Sequence, residues 1–384
     1  MTWDVALALA ALAAWIVLLG FHGNFWRIER HDTVPDPARW PEVVAVIPAR
    51  DEAEGVGWTV ASLLSQDYPG RFTVVLVDDH STDGTAAIAR AAAAASGASD
   101  RLLVVPGAPL PPGWTGKVWA MEQGLRRAAI ERPDAEFVLF TDADIRHAPG
   151  QLRALVGRAV AERRDLVSLM VRLHCATLPE QALIPAFVFF FRMLYPFRRI
   201  ADPRRRVAGA AGGVMLARRA AVEGIGGMAA LKGALIDDCT VARRIKERGG
   251  RLWLGLADET ESLRIYRGWG EPWNMIARSA YDQLGNSPAM LVGAVLAMGL
   301  VFVAPPLLAL AGGGAAGPAA LAWAFMAAAY WPMVRFYRLS PLWAAALPLV
   351  SLIYLGATIH SGIRHHLGRG GQWKGRVEAG RVSG

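Results

Sequence analysis

Residues 137–144 read Phe137-Val138-Leu139-Phe140-Thr141-Asp142-Ala143-Asp144. The four leading apolar residues are too few for a helix, and their Phe and Val content predicts a buried β-strand. In open α/β sheets, ligands bind beyond the carboxyl ends of the strands, so Asp142 and Asp144 are expected at a binding site. Mg²⁺ typically takes one or two carboxylates plus substrate phosphates. The stretch therefore predicts a metal-bound nucleotide diphosphate; the alternative is a loop that is merely acidic.

The residues around this strand alternate short apolar runs with helical periodicity. Further strands are expected at 43–47, 73–77, 102–105, 166–173 and 214–216. Helices are expected at 55–66, 85–96, from 116, and at 151–163, 237–248 and 270–284. Repeated strand–helix units predict an α/β fold, Rossmann-like, with a mostly parallel sheet covered by helices.

Composition narrows the class of protein. Of 384 residues, 53% are hydrophobic and only 19% are charged, an apolar excess that indicates membrane segments. The net charge is +8, but the basic residues form no basic helix and no patch interleaved with aromatic residues. We therefore expect phosphates and anionic lipid headgroups as partners, and no nucleic acid. The two cysteines, Cys175 and Cys239, offer neither a disulfide framework nor metal-ligand spacing, which fits a reducing compartment.

The first thirty residues predict a membrane anchor. Residues 5–21 are uninterruptedly apolar and about long enough to cross a bilayer. Asp4 precedes this run, and Arg27, Arg30 and Arg39 follow it, which is unlike a cleaved signal peptide. The positive-inside rule then places the following residues in the cytoplasm.

Other apolar segments predict further membrane contact. Residues 183–197 are short and interrupted, and the arginines after them favour a helix lying on the membrane surface, with a buried core helix as the alternative. Residues 286–360 contain three apolar blocks, at 289–311, 316–333 and 342–359, and Pro305-Pro306 is a candidate kink in the first. Residues 361–384 form a basic tail. Together these segments predict a multi-pass protein of the inner (plasma) membrane with a cytoplasmic catalytic domain.

Five motifs occur in order along residues 42–285. They are Val46-Ile47-Pro48-Ala49-Arg50-Asp51-Glu52, the Asp78-Asp79-x-Ser-x-Asp-Gly-Thr block, Gly116-Lys117 with Gly124 after it, Asp142-x-Asp144, and Asp237-Asp238. The set resembles the inverting nucleotide-sugar transferases of glycosyltransferase family 2. This resemblance implies a GT-A fold, a nucleotide-sugar donor and a divalent metal, Mg²⁺ or Mn²⁺. The terminal membrane segments and the ending Trp373-Lys374-Gly375-Arg376 are similar to the hopanoid-associated (HpnB-type) glycosyltransferases.

The resemblance assigns the donor nucleotide to four residues at strand ends. It implies that Asp79 accepts a hydrogen bond from the imide N–H of uracil, which makes a UDP-sugar the expected donor. The alternative for Asp79 is a helix cap, a role that Ser81 and Asp83 already fit. Pro48 and Ala49 bring backbone close to the base, and Glu52 is expected to fix the loop.

Other motif residues are assigned to the reacting groups. Lys117, in the first turn of a helix, is expected to bind the diphosphate; the alternative is a surface lysine. The resemblance implies that Asp142 and Asp144 hold the metal and that Asp238 is the general base. Asp237 stands where the family has Glu, which leaves its supporting role open, and both carboxylates have the alternative of stabilising the helix dipole.

The acceptor is the least defined part of the predicted site. Gly212 and Gly213 are expected to let the acceptor approach the backbone, with a tight turn as the alternative. Membrane-bound relatives have a Gln-x-x-Arg-Trp motif, of which Arg264, Arg267 and Trp269 are only loose counterparts. The resemblance and the membrane segments therefore predict inverting transfer of a sugar to a lipid, and the HpnB-type resemblance implies a role in hopanoid metabolism. The rivals are a polysaccharide synthase of the same family and a nucleotide-binding subunit of a transporter or flippase.

Overall fold

The computed structural model of the protein describes residues 2–29, 34–234, 236–367, 372–373 and 376–377. The chain divides into two compact units, each made of separate stretches. An α/β unit comprises residues 31–174, 199–265 and 372–384, and a helical unit comprises residues 1–30, 175–198 and 266–371. Of the predicted basic tail, residues 368–371, 374–375 and 378–384 lie outside the described residues.

The predicted elements are present, with ends that differ by one or two residues. The strands are β1 (Val43–Ala49), β2 (Phe72–Asp78), β3 (Leu102–Pro106), β4 (Phe137–Thr141), β5 (Ile145–Arg146), β6 (Leu166–Arg172), β7 (Val214–Arg218), β8 (Leu252–Ser262), β9 (Gln372–Trp373) and β10 (Arg376–Val377). The helices are α1 (Trp3–Phe21), α2 (Val56–Leu64), α3 (Thr85–Ala95), α4 (Gly116–Glu131), α5 (Gln151–Ala161), α6 (Leu178–Leu194), α7 (Phe197–Ala201), α8 (Arg219–Gly224), α9 (Asp237–Glu247), α10 (Gly270–Gln283), α11 (Pro288–Met298), α12 (Ala304–Ala311), α13 (Ala316–Phe336), α14 (Leu342–Ala345) and α15 (Leu347–His366).

The main sheet is mixed, with four consecutive parallel strands forming one half of it. Its strand order is β3-β2-β1-β4-β7-β6-β8-β5. The adjacent strands β3, β2, β1 and β4 run parallel to one another. Strand β7 is antiparallel to both of its neighbours, β4 and β6. The register pairs Ala49 with Asp78 and Thr141 with Val214. The loop that enters β7 therefore meets the edge of the sheet where β1, β2 and β4 end.

Helices cover both faces of this sheet, which explains why its strands are continuously apolar. Ile47 and Leu76 belong to the core that also contains Val60 of α2. On α4, a Cβ added to Gly124 would lie 2.4 Å from Cγ1 of Val46, so this helix packs against β1 at a distance that requires glycine. The predicted α/β class with a parallel-dominated sheet is confirmed.

In the helical unit, α1 packs against the segment that links α11 to α12. That segment, residues 299–303, forms a π-helical turn just before Pro305. Pro305 has no N–H to donate to the carbonyl of Val301, four residues earlier, and the indole N–H of Trp15 donates to that carbonyl instead, at 2.9 Å. The predicted irregularity at these prolines is therefore a π-turn with its free carbonyl satisfied.

Two helices among the described residues are long and apolar enough to cross a membrane. They are Trp3–Phe21 and the continuous segment Pro288–Ala311. The two later apolar blocks, in α13 and α15, do not meet the same criterion; α13 contains Pro318 and Pro332, and α15 ends in a basic turn.

The structure corrects the interpretation of residues 183–197 as a surface helix. Within α6, Leu183, Val188 and Phe189 are fully buried. The Phe189 ring contacts the ring of Tyr330, and the carbonyl of Leu183 accepts a hydrogen bond from the hydroxyl of Tyr354. The arginines that follow the segment pointed to the membrane surface, but most of the apolar side chains on α6 are covered by other helices of the same unit. The alternative, a buried helix, is the correct one.

Candidate active site

Three of the residues predicted to bind the nucleotide lie together where β1 and β2 end. Pro48 and Ala49 are the last residues of β1, and Asp79 directly follows β2. The backbone N–H of Asp79 donates to the carbonyl of Ala49 at 2.8 Å, and the Asp79 side chain is buried. The Arg50 guanidinium donates to the carbonyl of Asp79 at 2.6 Å. No role was predicted for Arg50, although it lies within the first motif.

The adjacent loops are fixed by side-chain hydrogen bonds. The backbone N–H of Glu52 donates to the Thr85 hydroxyl at 2.8 Å. Asp83 accepts hydrogen bonds from the N–H of Thr85, the first residue of α3, and from the N–H of Ala53. Asp83 thus forms the Asx turn at the start of α3, the turn role considered for Asp79, and Gly84 occupies the N-cap position.

Lys117 connects two carboxylate groups of the predicted site. Its ammonium nitrogen lies 2.8 Å from Oδ1 of Asp142 and 3.5 Å from Oδ2 of Asp237. Burial lowers the pKa of Lys117, but the attraction of Asp142 and then of Asp237 outweighs burial and raises the pKa above its ordinary value. With its side chain only 20% exposed, Lys117 is not the surface lysine of the alternative interpretation.

Asp144 is oriented by the end of β8. The Ser262 hydroxyl donates to Oδ2 of Asp144 at 3.1 Å, and the N–H of Leu263 donates to the Asp144 carbonyl at 2.7 Å. Burial and then the charge of Asp142 raise the pKa of Asp144, while Ser262 and Arg264 oppose the rise. No motif in the sequence points to Ser262, and Arg264 is indicated only by the loose motif match.

The predicted base, Asp238, is held through both carboxylate oxygens. Oδ2 accepts the N–H of Gly212 at 2.8 Å, and Oδ1 accepts the N–H of Cys239 at 2.6 Å. Burial and then the charge of Asp237 raise the pKa of Asp238 to about 6, against the lowering effect of Lys117. Near neutral pH this carboxylate is therefore ionised but more basic than an ordinary aspartate, which suits proton abstraction.

The predicted acceptor loop is joined to the metal loop by Thr141. The Thr141 hydroxyl donates to the carbonyl of Gly213 at 2.8 Å and lies 3.0 Å from Nε2 of His147. Burial lowers the pKa of His147 to about 3, so the imidazole is neutral and serves as a packing and hydrogen-bonding group. The loop before β7 is therefore fixed beside the loop that follows β4.

Gly212→Ala tests how tightly this loop is packed. An added Cβ would lie 3.2 Å from Nζ of Lys117, so this ammonium must shift by a few tenths of an ångström, and 3.4 Å from Oδ2 of Asp238, which is at the edge of ordinary contact. We expect kcat to fall about tenfold, less than the roughly 100-fold that a full 1 Å misplacement costs. Steady-state kinetics check this. Gly150→Ala, where an added Cβ meets nothing within 4 Å, is the matched control and should leave kcat unchanged.

The residues present fit a divalent cation. Asp142, Asp144, Asp237 and Asp238 contribute four negative charges, and Lys117 and Arg264 two positive ones, which leaves a net charge of −2. The repulsion from Asp142 that raises the pKa of Asp144 is what a shared cation would relieve. In the part of the chain that the structure describes, no group of three or more His, Cys, Asp or Glu is arranged so that it could hold a metal ion. Two carboxylates, completed by phosphate and water, match the preference of Mg²⁺.

The chain is similar to known proteins in its sequence profile and in its fold. Residues 44–226 match the profile of the family described as Glycosyl transferase family 2. The mannosyltransferase PcManGT from Pyrobaculum calidifontis, solved in complex with GDP-Man and Mn²⁺, aligns with a TM-score of 0.57 and 23% identity, over 94% of this chain and 99% of that chain.

A second solved structure is more distant. Glucosyl-3-phosphoglycerate synthase from Mycobacterium tuberculosis, in complex with Mg²⁺ and uridine diphosphate, aligns with a TM-score of 0.41 and 18% identity, over 66% of this chain and 87% of that chain. None of the curated proteins matches the chain. The α/β unit fits the GT-A fold, as the similarity to the first structure supports. The protein is an enzyme of the glycosyltransferase class, and its match to glycosyl transferase family 2 extends over residues 44–226.

Proposed function

We propose that the protein is a membrane-bound inverting glycosyltransferase that moves a sugar from a nucleoside diphosphate sugar to a lipid hydroxyl. The observation that supports it best is the position of Lys117, 2.8 Å from Asp142 and 3.5 Å from Asp237, the neighbour of Asp238. One ammonium thus joins the carboxylate at the proposed metal site to the pair that contains the proposed base. The diphosphate of the donor and the hydroxyl of the acceptor would then bind next to each other.

On the donor side, we assign the base to the ends of β1 and β2 and the diphosphate to Lys117 and the metal carboxylates. Pro48, Ala49 and Asp79 would contact uracil, so a UDP-sugar is the proposed donor. Asp142 and Asp144 would hold Mg²⁺ or Mn²⁺, which, when bound, neutralises the leaving diphosphate. Ser262 keeps Asp144 turned toward this position through its hydroxyl.

On the acceptor side, we assign proton abstraction to Asp238. Inversion requires one group to take the proton of the acceptor hydroxyl on the face opposite the leaving diphosphate. The N–H groups of Gly212 and Cys239 fix the carboxylate plane of Asp238. Each carboxylate oxygen keeps a second lone pair for the incoming proton. Asp237 supports this role by raising the basicity of its neighbour.

Lys117→Met should move the acid limb of the pH profile of kcat/KM upward. In the wild-type enzyme that limb is expected near the Asp238 pKa of about 6, because the protonated carboxyl cannot accept a proton. The ammonium lowers this pKa, so its removal raises it further and depresses activity at pH 7. A pH series of kcat/KM measures the shift. Arg127→Gln, an exposed change on the same helix, is the control, and an unmoved limb would contradict the coupling.

The proposal places the enzyme in the inner (plasma) membrane as a multi-pass protein with its catalytic domain in the cytoplasm. The two helices long enough to span, α1 and Pro288–Ala311, support it, as do the arginines that follow α1. Reporter fusions near Arg39 and near Asn286 should both report cytoplasm. A periplasmic signal at either position would show that this orientation is wrong.

The most specific part of the proposal is the acceptor, which we propose to be a lipid and in particular a hopanoid. The membrane helices and the resemblance of the terminal segments support it. Mass spectrometry of lipid extracts, taken after membranes are incubated with a panel of UDP- and GDP-sugars, tests it. A glycolipid that forms with one donor supports the proposal. Continuous polymer would indicate the polysaccharide synthase, and nucleotide binding without any product would indicate a transporter or flippase subunit.

A further inference from the structure

A lysine that the transfer reaction does not use organises the loop between α7 and β7. The ammonium of Lys246, on α9, lies 2.7–3.3 Å from four carbonyl oxygens, those of Arg199 and Ile200 at the end of α7 and those of Asp202 and Val207 in the loop. The Arg164 guanidinium donates to the carbonyl of Ala201, the last residue of α7, at 2.9 Å. Because an ammonium has three N–H donors, these carbonyls share one cation and must converge on it. The backbone of residues 199–207 is therefore held from its inner side.

The outer side of this loop presents three consecutive arginines. Arg204, Arg205 and Arg206 are all exposed. The nearest carboxylate is that of Asp202, 3.8 Å from Arg205; Arg204 and Arg206 form no ion pair with another residue that the structure describes. Two more exposed arginines, Arg243 and Arg244, lie on α9 within one turn of Lys246. An ordered loop thus carries an excess of positive charge that the fold does not neutralise.

We propose that this arginine loop, residues 202–207, binds the phosphate groups of an anionic phospholipid bilayer. Guanidinium groups form paired hydrogen bonds with phosphate oxygens, and basic residues beside a membrane are attracted by its negative surface. The loop contains no aromatic side chain on which a nucleic-acid base could stack. The inference rests on the membrane association within the proposed function and is independent of the transfer reaction.

Lipid retention by the full-length chain tests the proposal. The chain is inserted into an equal mixture of phosphatidylcholine and phosphatidylglycerol and extracted with mild detergent. The ratio of the two lipids that copurify is then measured by mass spectrometry. We expect phosphatidylglycerol to be enriched on the wild-type chain at low salt, and R204Q/R205Q/R206Q to lower that enrichment about tenfold or more. The enrichment should also fall at high salt, which screens surface charges.

Matched variants distinguish the effect of the arginine loop from the effect of the net positive charge of the protein. R71Q/R90Q/R127Q removes three exposed arginines elsewhere in the α/β unit and should keep the enrichment, and R204K/R205K/R206K should keep most of it. Lys246→Met leaves the arginines in place but frees the carbonyls, so it should lower the enrichment and speed tryptic cleavage at residues 204–206. Equal loss in the two Gln variants would overturn the proposal. Copurifying nucleic acid that depends on the same arginines would overturn it too. Glycosyl transfer is not measured, so failure of the proposed reaction leaves this result interpretable.

Discussion

Asp238→Asn is expected to lower turnover by about 10²–10⁴-fold, the usual contribution of a general base. The carboxylate is the group placed to accept the acceptor's proton, and its pKa of about 6 makes it more basic than an ordinary aspartate. An amide at the same position has no basic oxygen for this purpose. Single-turnover measurement of sugar transfer gives the loss directly.

The control for this variant is donor binding. An Asn side chain accepts with one oxygen, so the N–H of Gly212 or of Cys239 loses its acceptor, at a cost of roughly 1–3 kcal/mol in stability. Thermal unfolding should show a lower Tm, whereas the affinity for the nucleotide sugar should stay near normal. Transfer at a near wild-type rate, or inactivity caused by collapsed donor binding, would each show that Asp238 is not the base.

Asp144→Ala is expected to abolish the dependence of nucleotide affinity on Mn²⁺ or Mg²⁺. Without this carboxylate the cation is held less tightly, and the diphosphate meets the remaining carboxylates with its charge uncompensated. We expect the metal affinity to fall by more than the 10–100-fold typical for loss of a residue that orients a ligand. Mn²⁺ binding followed by electron paramagnetic resonance gives a readout that does not require transfer activity.

Two related variants are expected to weaken metal binding less than Asp144→Ala does. Ser262→Ala removes only the hydroxyl that orients Asp144, so its Mn²⁺ affinity should fall between those of the wild-type enzyme and Asp144→Ala. Asp142→Ala should be milder than Asp144→Ala, because water-mediated coordination by a single carboxylate is common for Mg²⁺. Uridine diphosphate affinity that rises with Mn²⁺ equally in the wild-type enzyme and in Asp144→Ala would refute the metal assignment.

The catalytic fold could be predicted because its signals are local. The apolar run 137–140 and its equivalents are short and bounded by loops, which predicts strands, and the parallel order then places their carboxyl ends together. The hydrogen bonds and ion pairs within the site join residues that are far apart in the sequence, so they could not be predicted. Ser262 and Asp144 lie 118 positions apart, and their contact depends on the pairing of β5 with β8. The bridge from Lys117 to Asp142 and Asp237 likewise exists only once α4, β4 and α9 are in place.

The helical segments were harder to interpret because burial and membrane contact select the same residues. Leu183 and Phe189 in α6 are as apolar as lipid-facing residues, and only the contacts with Tyr354 and Tyr330 show that other helices cover them. Composition alone likewise suggested three C-terminal spans, whereas one segment, Pro288–Ala311, meets the requirement for length and hydropathy. Hydropathy reports that a side chain avoids water but does not identify what covers it.

The anomeric configuration of the product tests the central proposal most directly. Membranes that contain the wild-type chain or Asp238→Asn would be incubated with the donor that reacts, and the glycolipid analysed by nuclear magnetic resonance. Direct displacement assisted by Asp238 predicts a product with inverted configuration from the wild-type chain and a loss of about 10²–10⁴-fold from the variant. A product that retains the donor configuration, or equal product from the two chains, would contradict it.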